Sequence, residues 1–153
     1  MPVSWGADLS PGKNRNGDRM IRYKTGFKYQ LHDQYTISLP WLGDMPDYAA
    51  DFIMVCGQDL TIEKGYAWDG PSGPTWDSKN SMRASLVHDA LYQLMRVGVL
   101  PESCRKPADD TLYQLCVEDG MFQWRAWAWW NGVRLGASGA AKNGTEREVI
   151  EAP

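Results

Sequence analysis

Leu86, Ala90, Leu94 and Val97, with Val87 and Leu91 beside them, recur at i, i+3, i+4 and i+7, a spacing that an α-helix gathers onto one side. Into this apolar stripe the sequence sets His88 and Asp89. One of the chain's two histidines therefore lies where an unpaired titratable group is costly to bury, and something else in the fold has to compensate it. The pattern predicts a helix from about Asn80 to Val97, stopped by Gly98, with Ser78, Asn80 and Ser81 as candidate caps.

Upstream the period is that of strands. Phe27 to Leu31 and Gln34 to Leu39 are short β-type runs joined at His32-Asp33, which predicts a hairpin. Pro40 to Ala50 reads as loop, and Phe52 to Val55 and Asp59 to Ile62 flank Cys56-Gly57-Gln58 as strand, tight turn and strand. Downstream, a second helix is expected from near Ser103, with Pro107 in its first turn, Leu112, Leu115 and Cys116 buried, and an end at Gly120. A third runs from about Phe122 to Leu135, ending at Gly136. The fold class expected is α+β, an N-terminal antiparallel meander followed by a three-helix C-terminal half. Residues 1–20, rich in Gly, Asn, Asp and Pro, read as a flexible or partner-dependent arm, 21–136 as a single globular domain and 137–153 as a flexible tail.

A net charge of -3 with no run of Lys or Arg interleaved with aromatics argues against nucleic acid as a partner. The apolar stretches are too short for a transmembrane segment, and the first residues lack a signal-peptide layout, so the protein is expected to be made and kept in a cytoplasm. Cys56, Cys104 and Cys116 are too few and too scattered for a disulfide framework. Four of the eight tryptophans, Trp124, Trp127, Trp129 and Trp130, fall in seven helical positions and cannot all face inward, so at least one is expected at the surface or at an interface.

The polar residues between Asp69 and Asp110 carry the chemistry. His88 and Tyr92 are four apart and share a helix face, whereas Asp89 is turned about 100° away. If the second helix packs antiparallel across the first, Asp109 can reach the His88 ring or the Tyr92 hydroxyl. A carboxylate on one imidazole nitrogen fixes the tautomer and supports the imidazolium, which makes a general base with an orienter. Asp89 would then face Asp69 and the carbonyls of Asp69-Gly70-Pro71-Ser72-Gly73-Pro74. That is an all-oxygen donor set of the kind that suits calcium better than zinc.

The stretches Trp68-Asp69-Gly70-Pro71-Ser72, Ala84-Ser85-Leu86-Val87-His88-Asp89-Ala90-Leu91-Tyr92, Arg105, Ala108-Asp109 and Val133-Arg134-Leu135-Gly136 resemble, in that order, an uncharacterised protein family encoded by tailed bacteriophages and prophages. The resemblance covers roughly residues 27 to 136 and implies phage origin. More distantly, the Asp-Gly-x-Ser loop, the His-Asp-x-x-Tyr helix and the following Asp resemble the core of secreted phospholipases A2, especially the short bacterial ones. That likeness implies a catalytic set in which His88 activates water, Asp109 is its partner and Tyr92 a hydrogen-bonding support. Asp69, Asp89 and a carbonyl around Gly70 become calcium ligands, and the reaction becomes hydrolysis of a phospholipid acyl ester in the host envelope. The chain departs from that class at Leu86, Val87 and Pro71, which stand where cysteines are usual.

Two other functions fit the same residues. In a virion or tail-associated structural protein the His88 and Asp109 pair stitches two helices together, and the partners are other virion proteins. In a small phage effector the tryptophan helix anchors a host protein. Arg105 and Pro107 are expected to set the start of the second helix, and His32-Asp33 to be a turn without a functional role.

Overall fold

The computed structural model of the chain describes residues 13–14, 23–24, 29–71 and 79–136. An N-terminal antiparallel β region in two sheets is followed by three helices, an α+β fold. The strands are β1 (Lys13–Asn14), β2 (Tyr23–Lys24), β3 (Tyr29–Leu31), β4 (Tyr35–Ser38), β5 (Tyr48–Ala50), β6 (Ile53–Cys56), β7 (Asp59–Ile62) and β8 (Ala67–Trp68). The helices are α1 (Lys79–Arg96), α2 (Arg105–Glu118) and α3 (Gln123–Gly136). The chain divides into two compact units, one of Met1–Lys24 and Leu31–Tyr66, the other of Thr25–Gln30 and Ala67–Pro153.

The first unit is built on an antiparallel sheet in the order β1-β4-β7-β6-β5. Its best-marked local feature is the expected hairpin, in which Cys56 faces Asp59 across a two-residue turn. Gly57, the first turn residue, sits at φ +57°, a conformation that side chains with a Cβ disfavour. Ile53 and Val55 alternate inward on β6, and Tyr35, Ile37, Leu60 and Ile62 are buried on β4 and β7. Thr36 and Thr61, opposite each other in register, are buried too, and their hydroxyls satisfy one another at 3.0 Å.

Two expectations fail in this unit. The runs around His32-Asp33 do not form a hairpin, since β4 pairs with β1 and β7. Leu31 instead exchanges backbone hydrogen bonds with the distant Gly65 and Tyr66, both at 2.8 Å, and buries its side chain. His32-Asp33 is the expected exposed turn, its ring and carboxylate 3.2 Å apart. The segment 40–50, expected as loop, holds a 3-10 turn over Pro40–Leu42, which buries Leu42, and the strand β5 on β6. Of the N-terminal arm, Lys13 and Asn14 pair with Thr36 and Tyr35. The rest of residues 1–20, apart from those two, and the tail 137–153 lie outside the described residues.

In the second unit Tyr29 pairs with Trp68 and Gln30 with Ala67. The Tyr29 ring lies 5.6 Å from that of Trp68, and the Trp68 indole donates to Ser85 Oγ at 3.0 Å, which fixes β8 on α1. Ser85 in turn donates to the Met82 carbonyl. Both α1 and α2 end on a glycine in the left-handed region, Gly98 at φ +79° and Gly120 at φ +88°. Val99 N and Gly98 N donate to the carbonyls of Leu94 and Met95, and Met121 N and Gly120 N to those of Cys116 and Val117. Each is a Schellman closure that satisfies carbonyls a helix end leaves open. Asn80 and Ser81, expected as caps, lie inside α1, and Ser78 lies outside the described residues. Pro107 stands at the third position of α2, where its missing N–H forgoes no intrahelical bond.

The α1 and α2 helices are tied at both ends of their contact. Arg83, 4% exposed on α1, donates through Nε to Asp119 Oδ2 at 2.9 Å and through Nη2 to Glu118 Oε2 at 3.0 Å. A fork-shaped cation thus meets two carboxylates where the α2 dipole is negative. No helix among the described residues is long and apolar enough to cross a membrane. Leu60 is fully buried at the centre of the five-stranded sheet. Replacing it with alanine should cost about 2–5 kcal/mol, seen as a lower urea midpoint.

Candidate functional site

The α1 stripe delivers His88 and Tyr92 to the same face, one turn apart, with their ring centroids 4.1 Å from each other. Asp109, on the first half of α2, meets both. His88 Nε2 lies 2.7 Å from Asp109 Oδ1, and the Tyr92 hydroxyl donates to the same oxygen at 2.7 Å. A third donor comes from α3, where Arg134 Nη1 reaches Asp109 Oδ2 at 2.9 Å. Asp109 is 0% exposed and Tyr92 and His88 are 3% and 7% exposed. The carboxylate is therefore the hub of a nearly closed set drawn from all three helices. Since His88 Nε2 points at a carboxylate, it is the protonated nitrogen of the neutral ring, and Nδ1 is the nitrogen left with a lone pair.

Burial opposes the charge on Asp109. The hydrogen bonds from His88 and Tyr92, the His88 charge and the Arg134 hydrogen bond outweigh it and hold the carboxyl below its usual value. Tyr92 moves the other way. Burial, then the hydrogen bond and charge of Asp109, push its hydroxyl well above the ordinary phenol range, against a smaller pull from Arg105. It stays a donor throughout the physiological range.

Arg105 braces the third donor from behind. Its Nη2 donates to the carbonyl of Val133 at 3.3 Å and to that of Arg134, oxygens that the last turn of α3 leaves without helical partners. Sequence reasoning assigned Arg105 to the start of α2 and missed both this brace and the contact of Arg134 with Asp109. The available signal was that Arg105, Asp109 and Arg134 all fell in the same ordered set of short motifs.

The other predicted residues lie after β8, at Asp69 and Gly70, and on α1, at Asp89. Gly70 sits at φ +78°, and a Cβ there would come within 2.5 Å of the Tyr29 ring, so glycine is required twice over. Asp69 beside it is exposed and Asp89 is half-buried. Ser72, Gly73 and Pro74, the rest of the expected cradle, lie outside the described residues. Carboxylates and backbone carbonyls are hard-oxygen donors, the kind calcium takes. Among the described residues no three His, Cys, Asp or Glu side chains group as a metal site.

Of the tryptophans, Trp129 is buried, Trp130 donates to Asp110 Oδ1 at 2.9 Å, and Trp124 and Trp127 are exposed, as the crowding required. Phe122 and Leu135 are exposed as well. The buried thiols of Cys104 and Cys116 are both pushed up by burial, Cys116 to about 12, which keeps them protonated and poor nucleophiles.

The model of a protein family of unknown function, DUF1353, matches residues 48–133. The chain belongs to that family. The DUF1353 match runs from β5 into the last turn of α3 and takes in Asp69, Gly70, His88, Asp89, Tyr92, Arg105 and Asp109, while Arg134 stands one position beyond it. No curated protein and no solved structure matches the chain.

Removing the hub should be felt in stability and in its pH dependence. Asp109→Ala leaves two buried donors and the half-buried Arg134 facing a void and is expected to cost about 3–5 kcal/mol. Because the Asp109 carboxyl is depressed in the fold, its contribution is present above the unfolded carboxylate pKa of about 3.9 and is lost as pH falls through the folded value. Asp109→Asn should therefore flatten the acid limb of stability below about pH 4, measured by urea unfolding across pH.

Proposed function

We propose that this DUF1353 protein is a phage-encoded, phospholipase-A2-like hydrolase that cleaves acyl esters of host-envelope phospholipid, with His88 as general base. One observation carries the proposal. His88 Nε2 is held by a fully buried carboxylate that Tyr92 also holds, which leaves Nδ1 as the basic nitrogen. That is the tautomer a histidine base needs. In the reaction Nδ1 takes a proton from water as its oxygen attacks the ester carbonyl, and the tetrahedral intermediate collapses as the imidazolium returns the proton to the departing alkoxide. Asp109 stays ionised throughout and stabilises the imidazolium, while Tyr92 and Arg134 keep its oxygens in place. Asp69, Asp89 and a carbonyl around Gly70 would hold calcium. Bound there, the ion would polarise the ester carbonyl and offset the oxyanion's charge.

A second function is favoured by a different observation. The set is almost closed, with His88 7% exposed and Asp109 0% exposed, and it joins three helices. On that basis the same residues would be a folding device in a virion or tail-associated structural protein, made in the host cytoplasm and carried in the particle with other virion proteins. The exposed Trp124 and Trp127 favour a third function, an effector that anchors on a host protein.

Purified protein with vesicles of labelled phospholipid separates these readings. The hydrolase is expected to release fatty acid in calcium, to lose most of that activity in chelator, and to fall by roughly 100-fold or more in kcat on His88→Ala. Release that is unchanged in a folded His88→Ala protein, or absent from the wild type, would sink it.

A further inference from the structure

We infer that Arg134 is a positioning residue for His88, acting through Asp109, and that the last turn of α3 belongs to the site. The inference rests on the hydrolase reading of that pair and adds to it a residue beyond the matched DUF1353 region.

The two oxygens of Asp109 have separate tasks. Oδ1 receives both His88 Nε2 and the Tyr92 hydroxyl, and Oδ2 receives Arg134. A carboxylate is planar, so fixing Oδ2 fixes the direction in which Oδ1 meets the imidazole. Tyr92 cannot supply that restraint, because it shares the oxygen whose direction is in question. Arg134 sits on a different helix from either ring and pins the opposite end of the group.

A long arginine side chain positions a partner only when its own backbone is held. Arg105 Nη2 donates to the carbonyls of Val133 and Arg134, so the turn that carries Arg134 is fastened to the start of α2, four residues before Asp109 in the same helix. The restraint forms a closed loop. Asp109 and Arg105 leave α2 one turn apart, and the two meet the side chain and the main chain of one residue on α3. The guanidinium also places a positive charge beside a buried carboxylate.

A brace that served stability alone would leave the imidazole unchanged once the protein was folded. The test therefore reads the ring directly. In protein labelled with 15N-histidine, the ring nitrogens of neutral His88 are expected to show a single Nε2–H tautomer in the wild type. Arg134→Gln should fold, show both tautomers, and lose roughly 100-fold in kcat on phospholipid vesicles with KM little changed. Arg134→Lys, which restores a cation, should recover much of both. Arg134→Met keeps the volume of the stem and carries the same readouts if the glutamine variant does not fold.

A single unchanged Nε2–H tautomer in a folded Arg134→Gln or Arg134→Met protein overturns the inference. Mixed tautomers in the variant, beside a wild type that hydrolyses no phospholipid, uphold the positioning role and overturn the hydrolase reading instead.

Discussion

A carboxylate with none of its surface in water has to be surrounded by donors, and in the second unit of this protein that requirement falls on Asp109. Three hydrogen bonds meet it, two from α1 and one from α3. They outweigh the cost of burial, since the group is held ionised more firmly than a carboxyl in water. The consequences spread outward. His88 is given one tautomer, Tyr92 keeps its proton, and Arg134 draws the end of α3 onto α2. Hydrophobic packing brings α1, α2 and α3 together through residues such as Leu86, Leu91, Leu112 and Val133, all buried. Packing of that kind tolerates small shifts, whereas hydrogen bonds of 2.7–2.9 Å to one carboxylate do not.

The parts of the fold legible in the sequence are those whose determinants are local. The α1 stripe and the glycines at 98 and 120 mark helix ends to within about two residues, because only a residue free of Cβ settles easily at the positive φ that closes a Schellman turn. Gly57 marks the β6 and β7 hairpin for the same reason. What could not be read was pairing at long range. The runs around His32 look like a hairpin from either side, but Leu31 finds its partners at Gly65 and Tyr66. β5 carries Ala49 and Ala50, both exposed, and leaves almost no apolar signal of its own.

The candidate site divides in the same way. The contact of His88 with Asp109 could be anticipated because a buried histidine demands a partner and two antiparallel helices offer few. Arg134 could not, since an arginine near the end of a helix ordinarily points into water and supports the dipole. Its role is visible only once α3 is seen to end beside Asp109. Arg105 misled for a related reason. At the first position of α2 it has the look of a helix-start residue, and its actual targets are carbonyls 28 and 29 positions further along the chain.

That spacing has a consequence for how the site comes into being. His88 and Asp109 are 21 residues apart, and Asp109 waits another 25 residues for Arg134. The helix that carries His88 is synthesised early, and its ring can find Asp109 as soon as α2 folds back along α1. The second oxygen of Asp109 has no donor from this source until the end of α3 has been made and docked. An unfinished chain thus holds the histidine without its full support. All three hydrogen bonds to Asp109 are present only in molecules in which α3 is in place.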